Sequence, residues 1–389
     1  MQQQEIYERA RLSRDARFDG QFFIGVRTTG IYCRPICPAV APKSENVTFY
    51  PSAAAASEAG YRPCLRCRPE CAPGTPAWNG TSTTVQRGLR LISSGALDEG
   101  SIEQLAERLG VTSRHLRRLF TTHLGASPLA VAHTQRLHFA KRLIDQTNLP
   151  MTHIATAAGY GSVRRFNDSF RRTYGRTPRE LRRHSEDAFD SGTALAVRLT
   201  YSKPFDWQGM LGFFDGRATP GVECVHDNAY FRTVTVNGEP GIIECRHDSN
   251  SENVILLLHG IETSQMFQVV QRVREMLDLD APVAEIKQHL GRDRKVGKIL
   301  RRYPGTRVPG AWEGFELTMR AILGQQVSVK AATTLAGRIA ARYGEKIQLP
   351  TSLTEKPDEL GLAYLFPSPE KLARARLNDM GLVTSRADT

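Results

Sequence analysis

Residues 30–37 read Gly-Ile-Tyr-Cys-Arg-Pro-Ile-Cys, and residues 62–70 read Arg-Pro-Cys-Leu-Arg-Cys-Arg-Pro-Glu. Cys33 and Cys37 frame a three-residue loop, and Cys64 and Cys67 a two-residue loop. Such short loops let paired sulfurs converge on one ion, and four thiolates in a tetrahedron suit Zn(II). Of the seven cysteines, five lie between Cys33 and Cys71, while Cys224 and Cys245 are scattered. The N-terminus, MQQQEIYERARLSRD, lacks an apolar signal core. Together these features predict a reduced, cytoplasmic protein with a metal site in place of a disulfide framework. In a block this small, metal binding is also folding energy.

At 389 residues the chain exceeds one ordinary core and predicts several domains. An apolar content of 40% with 24% charged residues excludes a disordered chain, and no apolar run reaches the length of a membrane span. The net charge of +12 is unevenly placed. Residues 1–184 carry 27 Lys and Arg against 14 Asp and Glu, whereas residues 185–389 carry 25 against 26. A basic front half is the electrostatic footprint of a nucleic-acid binder.

Composition and pattern divide the chain into four blocks of a multidomain α+β protein. The cysteine block spans 1–71, a basic helical block 84–184, a strand-and-helix block 194–305, and a second helical block 306–389. The segments 72–83 and 185–193 read as linkers. The basic block contains a repeat: LRRLFTTHLGASP (116–128) aligns with FNDSFRRTYGRTP (166–178). Each copy reads as helix, Gly turn, helix, with turns at Gly110 and Gly159. Thr112 or Ser113 caps the second helix of the first copy, and Ser162 that of the second. Leu116, Leu119 and Phe120 face inward in one copy, and Phe166 and Phe170 in the other. That leaves Arg114, His115, Arg117 and Arg118, and then Arg164, Arg165, Asn167, Arg171 and Arg172, on the outer faces. A helix apolar on one side and Arg/Asn/His-rich on the other suits a major groove. The block resembles the AraC-type DNA-binding domain. The expected partners are double-stranded promoter DNA and RNA polymerase, with the chain a monomer that makes no membrane contact.

Four thiolates around Zn(II) leave a charge of about −2, which repels DNA. Yet Arg27, Arg34, Arg62, Arg66 and Arg68 surround the cysteine loops. Such a cluster would hold phosphates near the metal, beside a thiolate that is already ionised. The run FDGQFFIGVRTTGIYCRPICPAV, with ENVTFY and GYRPCLRCRPE, resembles the N-terminal domain of the Ada family of adaptive-response proteins over about 65 residues. The resemblance implies that Cys33, Cys37, Cys64 and Cys67 bind zinc, and that Cys33 accepts a methyl group from a methylphosphotriester in alkylated DNA. Cys71 falls outside the pattern. An alternative reading is a zinc-containing AraC-type transcription factor without methyl chemistry.

YSKPFDWQGMLGFFDGRA (201–218) and RVPGAWEGFELTMRAILGQQVSVKAATTLAGRIAARYG (307–344) resemble the AlkA-type 3-methyladenine DNA glycosylases. The first would belong to that family's N-terminal α+β domain, the second to a partial helix-hairpin-helix domain. The resemblance puts Phe213 at the base pocket and Gln326 where a side chain wedges into the duplex. The family's Leu-Pro-Gly-Ile-Gly-type hairpin and downstream aspartate do not occur in residues 1–389, and Asp379 and Asp388 lack the required context. The expectation is therefore a truncated glycosylase domain without base release, with Ile322, Leu323 and Val327 left as an uncovered apolar face. The Pro-Cys-His-Arg motif of a second alkyl acceptor is likewise not found in this sequence.

Overall fold

The structure is a computed structural model that describes residues 2–72, 83–98, 100–182, 195–350, 353 and 357–377. The side chain of Cys71, both linker segments in their larger part, and Asp379 and Asp388 lie outside the described residues. The chain forms two compact units. One comprises Met1–Ala188, Met266–Gln271 and Asp280–Arg292; the other comprises Phe189–Gln265, Arg272–Leu279 and Asp293–Thr389. Among the described residues no helix is long and apolar enough to cross a membrane.

The first unit opens with α1 (Gln2–Leu12) and a four-stranded sheet of β1 (Phe23–Val26), β2 (Ile31–Cys33), β3 (Val47–Tyr50) and β4 (Arg62–Pro63). The sheet order is β3-β1-β2-β4, with α2 (Ala53–Glu58) between the last two strands in sequence. Strands β1 and β2 form a hairpin in which Gly30 takes φ +63°, a left-handed conformation that a β-branched residue would resist. Strand β4 then returns parallel to β2, pairing Tyr32 with Pro63. This crossover brings together two cysteine pairs that are far apart in sequence.

Seven helices follow: α3 (Thr83–Ser93), α4 (Ile102–Arg108), α5 (Ser113–Leu124), α6 (Pro128–Gln146), α7 (Met151–Ala157), α8 (Val163–Tyr174) and α9 (Pro178–Leu181). The repeat read from sequence is a repeat in space. Thr112 caps α5 and Ser162 caps α8, each through its hydroxyl. Both helices end on a glycine, Gly125 and Gly175, with the same backbone angles of φ 67° and ψ 11°. Each exit leads to Pro128 or Pro178 at the first position of the next helix, where a missing N–H costs nothing. Leu116, Phe120, Phe166 and Phe170 are all fully buried.

The cysteine block and the helical block share a core. Ala54 of α2 packs in the cluster formed by Leu89, Leu105, Leu116 and Phe120. A Cβ on Gly125 would meet Pro51 and Ala55 at 3.1 Å, so the first exit turn fits closely against α2. Ser127, which caps α6, also donates its hydroxyl to Glu58 at 3.0 Å.

The second unit is built on an antiparallel sheet of β5 (Leu195–Leu199), β6 (Glu223–His226), β7 (Ala229–Val236), β8 (Glu239–Asp248) and β9 (Asn253–His259), ordered β5-β9-β8-β7-β6. Helix α10 (Trp207–Asp215) follows β5; next in sequence come α11 (Met266–Met276), of which residues 266–271 belong to the first unit, and α12 (Val283–Leu290), which belongs to the first unit. After them come α13 (Arg294–Arg302), α14 (Gly314–Leu323) and α15 (Val329–Tyr343). The apolar face expected to lack cover is closed in part. Leu323 is 1% exposed against Leu335, Ala336, Ile339 and Leu372, because α14 and α15 fold back on each other and residues 366–372 seal the end. Ile322 is half-buried; Val327 remains 37% exposed.

Candidate metal centre and nucleic-acid interface

The four sulfurs of Cys33, Cys37, Cys64 and Cys67 all lie within 4.8 Å of one another. Local backbone explains the convergence. Cys33 ends β2, and Cys64 follows β4 directly, its N–H bonded to the Tyr32 carbonyl at 3.0 Å. Tight turns then bring each partner round: Cys37 N donates to Arg34 O, and Arg68 N to Cys64 O, both at 3.1 Å. Arg68 takes φ +54° to complete the second turn. Cys64 and Cys67 are buried, whereas Cys33 and Cys37 are only half-buried. The first pair is thus the more accessible of the two.

The donor set fits zinc: four thiols, no imidazole or carboxylate, and a backbone N–H of Arg34 aimed at Cys67 Sγ from 3.3 Å. The thiols also share protons in a way that a cation relieves. Hydrogen bonding to Cys37, Cys64 and Cys67 pushes the Cys33 thiol far up. The same bond from Cys33 holds Cys64 well below the usual thiol range and brings Cys37 down to about 7. Zinc held by these four sulfurs would take the place of those protons and leave thiolates.

The arginines around the centre divide into two groups. Arg27, Arg62 and Arg66 are exposed, Arg27 donating to the Glu45 carbonyl at 3.0 Å. Arg34 and Arg68, read from sequence as phosphate ligands, are instead committed to carboxylates. Arg34 donates through Nε to Asp19 at 2.7 Å and through Nη1 to the Cys67 carbonyl at 3.1 Å. Its side chain is 12% exposed and that of Asp19 is 7% exposed, so the pair braces the cysteine loops from inside. Arg68 bonds Asp145, and Lys141 lies between Asp145 at 2.5 Å and Glu70 at 3.6 Å. These four residues form a mostly buried network between the cysteine block and α6. Nothing in the spacing of the sequence announces Asp19, Glu70 or Asp145; only the Lys141–Asp145 pair, four apart on a helix, leaves a local signal.

On the helices, Arg114, Arg117 and Arg118 of α5 are exposed, and Arg164, Arg165, Arg171 and Arg172 of α8 likewise. His115 and Asn167 are half-buried. His115 Nδ1 lies 3.1 Å from an Arg118 nitrogen, and Arg117 reaches Glu103 at 3.5 Å. The two cationic faces stand on helices of equal length with matched caps.

In the second unit a cavity of about 370 Å³ is lined by Phe213, Tyr230 and Trp312 together with Arg232, Glu316 and Arg320. The Arg217 guanidinium lies 4.1 Å from the Phe213 ring centroid. Arg232 donates to Glu223 at 2.9 Å and pairs with Glu316, with all three residues buried. Burial pushes the Glu223 carboxyl up. Gln326 is not in this cavity. It is exposed on the turn between α14 and α15 at φ +56°, a left-handed conformation costly for a side-chain-bearing residue.

These features define a class: a four-cysteine zinc protein whose metal block is packed onto a tandem helix-turn-helix, followed by a sheet-based unit. Three family profiles match the chain: "Metal binding domain of Ada" over residues 7–70, "Helix-turn-helix domain" over 105–184, and "AlkA N-terminal domain" over 196–313. The chain is 40% identical over 386 residues to the probable bifunctional transcriptional activator/DNA repair enzyme AlkA of Mycobacterium tuberculosis, covering 98% of this chain and 76% of that protein. It is 31% identical over 175 residues to the bifunctional transcriptional activator/DNA repair enzyme AdaA of Bacillus subtilis, covering 45% of this chain and 81% of that one. It is also 32% identical over 194 residues to DNA-3-methyladenine glycosylase 2 of Escherichia coli, covering 49% and 63%. The chain belongs to the family of bifunctional transcriptional activator/DNA repair enzymes.

Proposed function

We propose that this protein repairs and senses alkylated DNA by moving one methyl group from a backbone methylphosphotriester onto Cys33, and that it binds promoter DNA through α5 and α8. The observation that carries this reading is the placement of a half-buried Cys33 within a four-sulfur centre that shares one packed unit with both cationic helices. Cys33, Cys37, Cys64 and Cys67 would hold zinc, which would keep the acceptor ionised near neutral pH. Cys33 Sγ attacks the methyl carbon; the S–C bond forms, the O–CH3 bond breaks, and the phosphodiester leaves as an anion with the electron pair. Exposed Arg27, Arg62 and Arg66 hold the strand, while the Arg34–Asp19 pair fixes the loop that carries the acceptor. The thioether formed cannot revert, so the protein turns over once.

Transfer removes one negative charge beside the DNA. Repulsion falls, and promoter affinity rises on the order of tenfold for each 1.4 kcal/mol gained. Mass spectrometry after incubation with methylphosphotriester DNA tests the assignment: one methyl should appear, on the peptide holding Cys33. A methyl on another residue, or none, leaves a zinc-containing AraC-type regulator without repair chemistry. For the glycosylase-like unit, Phe213 and Gln326 are proposed to line a base pocket and to wedge into the duplex. Residues 1–389 are not assigned base release, and free 3-methyladenine appearing in excess over protein would overturn that.

A further inference from the structure

Helix α13 reads Arg-Lys-Val-Gly-Lys-Ile-Leu-Arg-Arg: five cations in nine residues and no acid. Residues 185–389 as a whole carry 25 cations against 26 acids, so this helix concentrates charge within a nearly neutral half. All five cations are exposed, and none forms an ion pair among the described residues. The nearest acid in sequence, Asp293, accepts from Lys295 N and Val296 N at 2.8 Å as the helix cap. Gly297 is the only buried residue of the helix.

An ordinary solvated helix balances its charges at spacings of three and four. Here Arg294 and Lys298, and Lys298 and Arg302, are like charges four apart, so the helix repels itself. At 100° per residue the five cations fall in an arc of roughly 120°. Nine residues extend about 13 Å, the axial rise of roughly four base pairs of duplex. Ile299, 60% exposed, borders that arc where sugar edges would lie.

We propose that α13 is a third DNA-binding element, one that lays its cationic arc along a duplex phosphate backbone without reading sequence. The proposal rests on the DNA-binding reading above. It assigns the same polyanion to the second unit that α5 and α8 engage in the first, and tethering in one chain raises the effective concentration of one site at the other.

The test is the salt dependence of the full-length chain's binding to unmodified, operator-free duplex DNA. The triple variant R294Q/K298Q/R301Q keeps helix propensity but removes three contacts. The slope of log K against log salt should fall by about 2–3. R294K/R301K, which keeps the charge, should retain the wild-type slope. Methyl uptake by Cys33 at saturating methylphosphotriester DNA should be unchanged in both variants. An unchanged slope in the triple variant overturns the proposal alone; a wild-type chain that binds no duplex sinks it together with the DNA-binding reading. Phosphatidylserine vesicles and polyglutamate serve as competing polyanions. If the triple variant loses binding to either one while its DNA slope stays at the wild-type value, α13 serves that partner and the proposal falls.

Discussion

The Tyr32 hydroxyl lies 2.9 Å from His138 Nε2, joining the residue before the proposed acceptor to α6, the long helix that links the two helix-turn-helix copies. Tyr32 is fully buried. Desolvation, with a smaller repulsion from Arg142, brings His138 down to about 3, so its ring stays neutral through the physiological range. Replacing Tyr32 with Phe leaves a desolvated imidazole without its partner and should cost about 1–3 kcal/mol. Denaturant unfolding of the zinc-loaded protein measures that difference.

The same histidine makes stability depend on pH. Its folded-state value lies below the ordinary 6.5, so the unfolded chain binds the proton that the folded chain refuses. Its contribution is therefore full above pH 6.5 and is lost as pH falls from about 6.5 towards 3, at up to about 1.4 kcal/mol per pH unit. His138→Gln should flatten the acid limb of a stability–pH curve, and a curve parallel to the wild type would refute the role.

Asp19 and Arg34 form a buried pair behind the cysteine loops. Asp19→Ala strands the guanidinium and should cost about 3–5 kcal/mol, whereas the double change D19L/R34M should recover most of it. Calorimetry gives the stability, and a zinc assay shows whether the loops still hold the ion.

Phe166 and Arg165 are neighbours on α8 with opposite duties. Phe166→Ala opens a cavity in a fully buried cluster and should cost about 3–5 kcal/mol. Arg165→Ala removes an exposed cation and should change stability by less than about 0.5 kcal/mol. It should instead reduce the salt slope of promoter binding by about 0.9. Paired unfolding and salt-titration measurements separate the two effects.

Stripping zinc with a chelator should loosen more than the cysteine block. Residues Ala53–Ala56 of α2 are buried in part against the helical core, so losing the metal removes cover from α5 and α6. Far-ultraviolet circular dichroism should lose helical signal beyond what α1 and α2 contribute, and DNA affinity should fall with it.

The sequence announced what depends on local spacing. The paired cysteines, the Gly110 and Gly159 turns, the Thr112 and Ser162 caps and the apolar stripes of α5 and α8 all follow from short-range rules. Partners distant in the chain were not legible, since nothing near Arg34 points to Asp19, and nothing near Arg68 points to Asp145. Both arginines therefore read as free cations until their carboxylates were placed beside them. Leu323 misled for a similar reason: its cover comes from Leu335, Ile339 and Leu372, which a local pattern does not bring to it.

The hydroxyl of Ser52 has two bonds to make. It accepts from Ala55 N at 3.0 Å, starting α2, and donates to the Leu124 carbonyl at 2.8 Å, finishing α5. One atom thus opens a helix in the metal block and closes a helix of the tandem helix-turn-helix. The seam between the two modules is a shared joint, and shuffling either module onto a foreign neighbour would leave a raw end on both.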